Sequence, residues 1–375
     1  MKYSLLIGTV FLVVCLVYGQ GPLSPPGPPG PVMRSLEQIE PRCPISRAPF
    51  VINEPGSYYL TMNLQVSAGS AILIVTNCVT LDLNGFTITS FSSKVLDPAI
   101  SINGGLRSIT IKNGVIRGGV TNDGSGNFKG GGFASGIYYF PAAGPLNNVR
   151  VREVRIEGCL LSGINLGTNG GTTVKNCQVR TVGGTGIIAQ NVFDSEVTDC
   201  GSDGISCVVG SRNYAESVSG CGIVGVVIRD SRGKSKTGIG ISGQCALNCW
   251  GESVSGHGIR VCQAQNCLGK SESSFGVYAM DTAIGCVGES QTHTGLRAMV
   301  ACGCHGLSVN GTGLVATSVH GCYGESINGG VGVEAEIASF CIGSRVNGCA
   351  IASLIGVGCY APAGTNHVTY RYNMP

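Results

Sequence analysis

The chain has 375 residues, of which 60 are glycine and only 12% carry charge. A net charge of +3, with no basic run beyond Lys234 and Lys236, leaves neither the footprint of a nucleic-acid binder nor a polybasic membrane patch. So much glycine does not suit an ordinary helical or α/β domain and asks for a repeat.

Residues 1–20 read as a secretory signal: Lys2 is followed by an apolar run from Leu5 to Val17 and then Tyr18-Gly19-Gln20. The run is short for a membrane span, so the mature chain is expected to be secreted or extracellular, or cell-surface associated, without a stable membrane span. Residues 21–32 form a Pro/Gly-rich, collagen-like spacer. Gly21, Gly27 and Gly30 hold a three-residue register that Ser24 breaks. Residues 33–62 are expected to be an N-terminal cap or oligomerisation segment, in which Met33, Leu36 and Ile39 offer a short helical stripe that Pro41 ends. Residues 63–360 hold short β runs separated by Asn-Gly and Gly-rich turns, with a long flexible loop expected over 121–136. Residues 361–375, with Tyr370 and Tyr372 in alternation, suit a terminal strand or cap.

The repeat is sharpest after residue 240. Cys249, Cys267, Cys286, Cys304, Cys322 and Cys341 recur every 18 or 19 residues, and the spacing reaches back to Cys159 and Cys177. Two places after each of the six comes Gly251, Gly269, Gly288, Gly306, Gly324 or Gly343. Four places after come Ser253, Ser271, Ser290, Ser308 and Ser326, with Arg345 as the exception. Several columns in step define a solenoid whose coils bury their apolar faces only by stacking. Eighteen cysteines would remain after signal cleavage, an even count that makes disulfide bonds an expectation for a secreted chain. The same column reads equally as packed thiols. Which alternating column faces the core, the cysteines or their neighbours Trp250, Leu268 and His305, is open at this level.

VTLDLNGFTI (79–88), ITIKNGVIRGG (109–119) and the later coils resemble the right-handed parallel β-helix superfamily, the pectate lyase-like proteins that include polygalacturonases and phage tailspikes. The fold expected is all-β: a right-handed parallel β-helix solenoid with mainly 18–19-residue coils in the C-terminal half. The handedness comes from the resemblance.

Polygalacturonases of that superfamily combine acidic elements with Gly-His-Gly and Arg-x-Lys. Gly256-His257-Gly258 matches the Gly-His-Gly element, but Arg260 lacks the lysine, and Asp199 and Asp203 are the nearest approach to an acidic pair. The catalytic candidates are therefore Asp199, Asp203, His257 and Arg260. Gly258 also recurs as Gly276, Gly295 and Gly313, so the glycines around His257 need no catalytic reason. No cofactor is expected. Calcium is held open only by Glu252, Glu289 and Glu325, which share a column interrupted by Lys270 and Leu307. The reading favours a secreted structural or surface-interaction protein, a self-associating, trimeric fibre or adhesin-like module touching a polysaccharide or cell surface, and not an enzyme. Its alternative is a polysaccharide lyase or glycoside hydrolase acting on an acidic glycan.

Overall fold

The computed structural model describes residues 40–90 and 92–374. The expected signal and spacer, and most of the helical stripe, lie outside the described residues. The solenoid unit begins at Cys43. It is a right-handed parallel β-helix with coils of about 18 residues. Stacking starts inside the stretch assigned to a cap: Cys43–Ile45 pairs with Gly56–Leu60, and Phe50–Ile52 with Ile72–Ile74. At the other end Tyr360–Tyr372 pairs with Ile342–Val357. The 121–136 segment is not an unstructured loop. Thr121–Asn122 and Phe128–Lys129 form a small hairpin, and Gly132–Phe133 pairs with Val95–Leu96.

One coil shows the construction. Trp250–Ser253 is a short strand, residues 254–258 turn, and Ile259–Gln265 is a longer strand. Alternation sends side chains in and out. Ile259, Val261 and Ala264 are buried, so the inward parity shifts by one residue and the strand bends near Cys262. The longer strands thus form two facets, one before and one after the bend. A left-handed residue closes the coil at Asn248 and Asn266 and at Gly285 and Gly303 in the next two, where glycine or asparagine costs least.

Each column has its own physical reason. Ile205, Ile223, Ile241, Ile259, Val277 and Leu296 stack in register and are fully buried. Each such side chain contributes about 1.5–3 kcal/mol. The serines are stitches. Ser253 Oγ donates to the Gly238 carbonyl at 2.6 Å and accepts the Gly256 N–H at 2.8 Å, and Ser271 repeats this with Gly256 and Ser274. Arg345, the exception in the sequence column, reaches the equivalent carbonyl, that of Gly330, through its guanidinium. The glycine columns face each other. A Cβ on Gly251 would lie 2.1 Å from the Gly258 oxygen, and one on Gly258 would lie 2.4 Å from the Lys270 nitrogen. No other residue fits at either place without moving backbone.

The cysteine column settles which side faces inward: Cys249 to Cys341 are buried, and the Trp250 column lies outside. The expected disulfide bonds are corrected by the structure, because all 18 described cysteines are free thiols. Their sulfurs turn instead to backbone carbonyls, as Cys249 does to Leu247 and Ile228 at 3.2 and 3.4 Å. Ser195 and Ser231 serve the same corner in earlier coils, bonding the carbonyls of Phe193 and Arg229. The thiol therefore acts here as a larger, less polar hydroxyl. Cys159 does not belong to this column. It pairs with Val182, which pairs with Cys200, and then Ser217, so it lies on the serine line and its 18-residue distance from Cys177 is coincidental. Burial pushes its thiol pKa up to about 12.

Candidate functional site

The four sequence candidates do not form one cluster. Asp199, at a left-handed corner, accepts from Asn122 Nδ2 at 2.5 Å and Thr181 Oγ1 at 2.9 Å. It ties the inserted hairpin to the coil stack. Asp203 accepts the Cys221 N–H at 2.7 Å. The registers put Asp203 and His257 in one column, three coils apart. At about 4.8 Å per coil that is roughly 14 Å, beyond direct proton transfer.

His257 and Arg260 do have company, but it comes from the following coils and is not acidic. Arg260 stands on the first facet of the long strands, paired with Tyr278, which pairs with Arg297. Tyr278 thus sits between two exposed guanidinium-bearing positions. The Arg297 guanidinium carbon lies 5.8 Å from the Phe275 ring centre and 6.0 Å from that of Tyr278. Phe275 and Tyr278 stack at 5.2 Å with 25° between planes. His257 packs 5.2 Å from Phe275, and His293 packs 4.2 Å from it on the other side. Ser274 Oγ holds His257 Nδ1 at 2.7 Å.

Burial lowers the His257 pKa below the ordinary imidazole value, and the positive charge of Arg260 and the neighbouring His293 lower it further. The imidazole is therefore neutral at pH 7. In the tautomer whose Nδ1–H donates to Ser274 Oγ, Nε2 carries the free lone pair. The arrangement is a strip of two fork-shaped cations, two stacked aromatic faces and a neutral base. Such forks match carboxylate or sulfate groups. Register alone would have revealed Tyr278 and Arg297, since they occupy the Arg260 column; Phe275, one residue before a column glycine, occupies that of His257.

A concavity of about 420 Å³ lies on the short-strand face, along the column Glu216, Lys234, Glu252, Lys270 and Glu289. Its charges answer one another: Glu252 meets Arg232 at 3.1 Å and Lys234 at 3.2 Å, and Lys270 meets Glu289 at 2.8 Å. Arg232 also lies 3.8 Å from the Trp250 ring centre. The glutamates considered for calcium are thus held in ion pairs at Glu252 and Glu289. Among the described residues no group of three or more His, Cys, Asp or Glu could hold a metal ion, and no helix is long and apolar enough to cross a membrane.

No family model and no curated protein matches the chain. Solved structures with a similar winding include the A-module of mannuronan C-5 epimerase from Azotobacter vinelandii, at 14% identity, TM-score 0.36, covering 86% of this chain and 91% of that one. Another is the polygalacturonase of Erwinia carotovora ssp. carotovora, at 13% identity and TM-score 0.30, covering 85% and 89%. A third is the catalytic domain of a GH87 alpha-1,3-glucanase in complex with nigerose, at 10% identity and TM-score 0.28, covering 89% and 62%. At these identities the likeness concerns the fold. All three carry the names of enzymes that act on carbohydrates, against the expectation that this chain is not an enzyme.

Proposed function

We propose that the protein acts on an acidic polysaccharide laid along the Arg260–Tyr278–Arg297 strip, as a lyase of uronate-containing chains. The observation that supports this most is the placing of two arginines in one outward column, with a neutral imidazole beside the tyrosine between them. Arg260 or Arg297 binds a sugar carboxylate and, by neutralising it, acidifies the C–H beside it. His257 Nε2 takes that proton. The C–H electrons form a carbon–carbon double bond as the neighbouring glycosidic C–O bond breaks, and the Tyr278 hydroxyl protonates the departing oxygen. Hydrolysis fits less well. It asks for two carboxylates roughly 6.5–9.5 Å apart with water between them, whereas Asp199 and Asp203 are each engaged in structural bonds. A secreted location, expected from the leading segment, suits such a substrate.

The second reading is an adhesin-like module that holds the glycan on the same strip without cleaving it. One experiment separates the two. The purified chain is incubated with polygalacturonate, alginate and a neutral glucan, and both binding and the ultraviolet absorbance of unsaturated products are followed. The lyase reading expects product from an acidic polymer only. It expects His257→Ala to abolish product while binding persists, and Arg297→Ala to weaken binding by roughly 10- to 100-fold through loss of a charge-assisted contact. Binding without product supports the adhesin reading. Absence of binding to any acidic polymer overturns both.

A further inference from the structure

The buried cysteine column continues past Cys341 to Cys359, so seven successive coils carry a thiol at one inward corner. Backbone fixes the stacking. The N–H that follows each cysteine donates to the carbonyl of the cysteine one coil earlier, as Leu268 does to Cys249 at 2.8 Å and Tyr360 does to Cys341 at 2.9 Å. The seven sulfurs also point the same way: each donates to the carbonyl two residues before its own cysteine, at 3.2–3.5 Å. One orientation at every level sets neighbouring sulfurs one coil rise apart, about 4.8 Å. The corner itself does not require sulfur, since the hydroxyls of Ser195 and Ser231 make the same bond in earlier coils.

We propose that this column is a binding site for a soft, divalent, two-coordinate cation, with mercury(II) as the matching ion, each ion bridging the sulfurs of two successive coils. Thiolate sulfur selects soft metals. A zinc–thiolate bond is about 2.3 Å, so two metal–sulfur bonds of that size in line span about 4.6 Å, close to the coil rise. Among the described residues no group of three or more His, Cys, Asp or Glu could hold a metal ion, but a linear ion needs only two ligands. Binding exchanges protons for metal. Two S–H bonds break, two sulfur–metal bonds form, and two protons leave to solvent with no change of oxidation state. The surroundings select the charge. Carbonyl oxygens of Ile228, Ala283 and Ala338 lie 3.3–3.4 Å from the sulfurs of Cys249, Cys304 and Cys359, and one N–H, that of Cys304, reaches the Cys322 sulfur at 3.2 Å. A monovalent ion on two thiolates would leave a buried negative charge against those oxygens, whereas a divalent ion gives a neutral bridge. Seven thiols make three such pairs and leave one over. The column lies in the interior, so this site is independent of the Arg260 strip.

The test uses the full chain, reduced, with the exposed Cys43, Cys78 and Cys302 alkylated. It is equilibrated with mercury(II) and then passed through gel filtration in excess small monothiol, which strips isolated thiols but not paired ones. Equilibration is long, because local opening of the coils gives access to the column. Three retained ions per chain are expected, and no retained zinc(II), which asks for four ligands. Cys304→Ser leaves two runs of three thiols and should retain two ions, while Cys249→Ser leaves six in a row and should retain three. Two triple variants sharpen this with equal thiol counts. Cys267→Ser with Cys304→Ser and Cys341→Ser isolates every remaining sulfur and should retain none. Cys249→Ser with Cys267→Ser and Cys286→Ser leaves two adjacent pairs and should retain two. Circular dichroism should be unchanged in all four, since serine keeps the corner bond. A wild type that retains no mercury, equal retention by the two triple variants, or equal loss from Cys304→Ser and Cys249→Ser would overturn the proposal.

Discussion

The coils before residue 200 and those after it wind the same way but fill themselves differently. In the first region the stacked partners Gly56, Val79, Ile109, Val149 and Thr172 are irregularly spaced. The interior there is large and apolar, with Leu81, Ile88, Ile102 and Phe133 fully buried. In the second region Ile205, Ile223, Ile241 and Ile259 fall every 18 residues. Beyond that aliphatic line, its interior from Ala246 to Ala338 is mainly alanine, cysteine, serine and glycine. A narrow coil has little room for hydrophobic bulk, so hydrogen-bond stitches and close backbone contact do more of the holding. The wide coils tolerate insertions such as the 121–129 hairpin for the complementary reason: their cores are held by side chains rather than by each corner.

This contrast can be broken most sharply at a glycine. A Cβ on Gly288 would meet the Gly295 oxygen at 2.2 Å, whereas one on Gly124, in the inserted hairpin, meets nothing within 4 Å. Gly288→Ala is expected to cost about 3 kcal/mol or more in thermal or urea unfolding, and Gly124→Ala about 1 kcal/mol, from backbone strain alone. Next in size, Ser308→Ala removes a buried bond to the His293 carbonyl and strands the Gly311 N–H, which it accepts at 2.8 Å. A loss of about 1–3 kcal/mol is expected, against less than about 0.5 kcal/mol for Thr121→Ala in the exposed hairpin.

Acid should separate the regions by pH. The His257 pKa is lowered on folding, so protonation favours the unfolded chain and stability falls as the pH drops below about 6.5. Asp82 in the wide coils is also lowered. Burial raises its pKa, but the Asn84 N–H, Lys112 and Asn113 outweigh that. Its contribution is present above the ordinary value and is lost only as pH falls below about 4. Hydrogen exchange across that range should show the coils near His257 loosening first, and His257→Gln should remove the earlier limb. On the proposed lyase reading, the same protonation reduces turnover before it reduces binding. The smallest effect is expected at the thiols. Cys286→Ser should change stability by less than about 1 kcal/mol, because Ser195 and Ser231 already make that corner bond, while Cys286→Val should cost more by removing the second of the Ile284 carbonyl's two bonds and leaving it the Asn266 N–H alone.

Much of the fold was legible in the sequence because each coil repeats one set of contacts. The six cysteines, their glycines and their serines named the columns before any coordinate did. Cys159 misled because an 18-residue interval within wide coils does not mean one coil. The disulfide expectation failed because count and compartment say nothing about where a sulfur points. The site was less legible. His257 and Arg260 were visible, but the nearest acidic residues, Asp199 and Asp203, support the hairpin and a turn.

What the sequence alone determined was the period, and with it the solenoid: a residue recurring every 18 positions among β-formers must stack on its own image. What only the tertiary structure decided was which column faced inward, what each sulfur bonded and which residues met across coils. Those depend on where the bend near Cys262 switches inward parity. The bend makes Arg260, Tyr278 and Arg297 one strip and sends Cys245 and Val300 to another facet, and no spacing in the chain announces it.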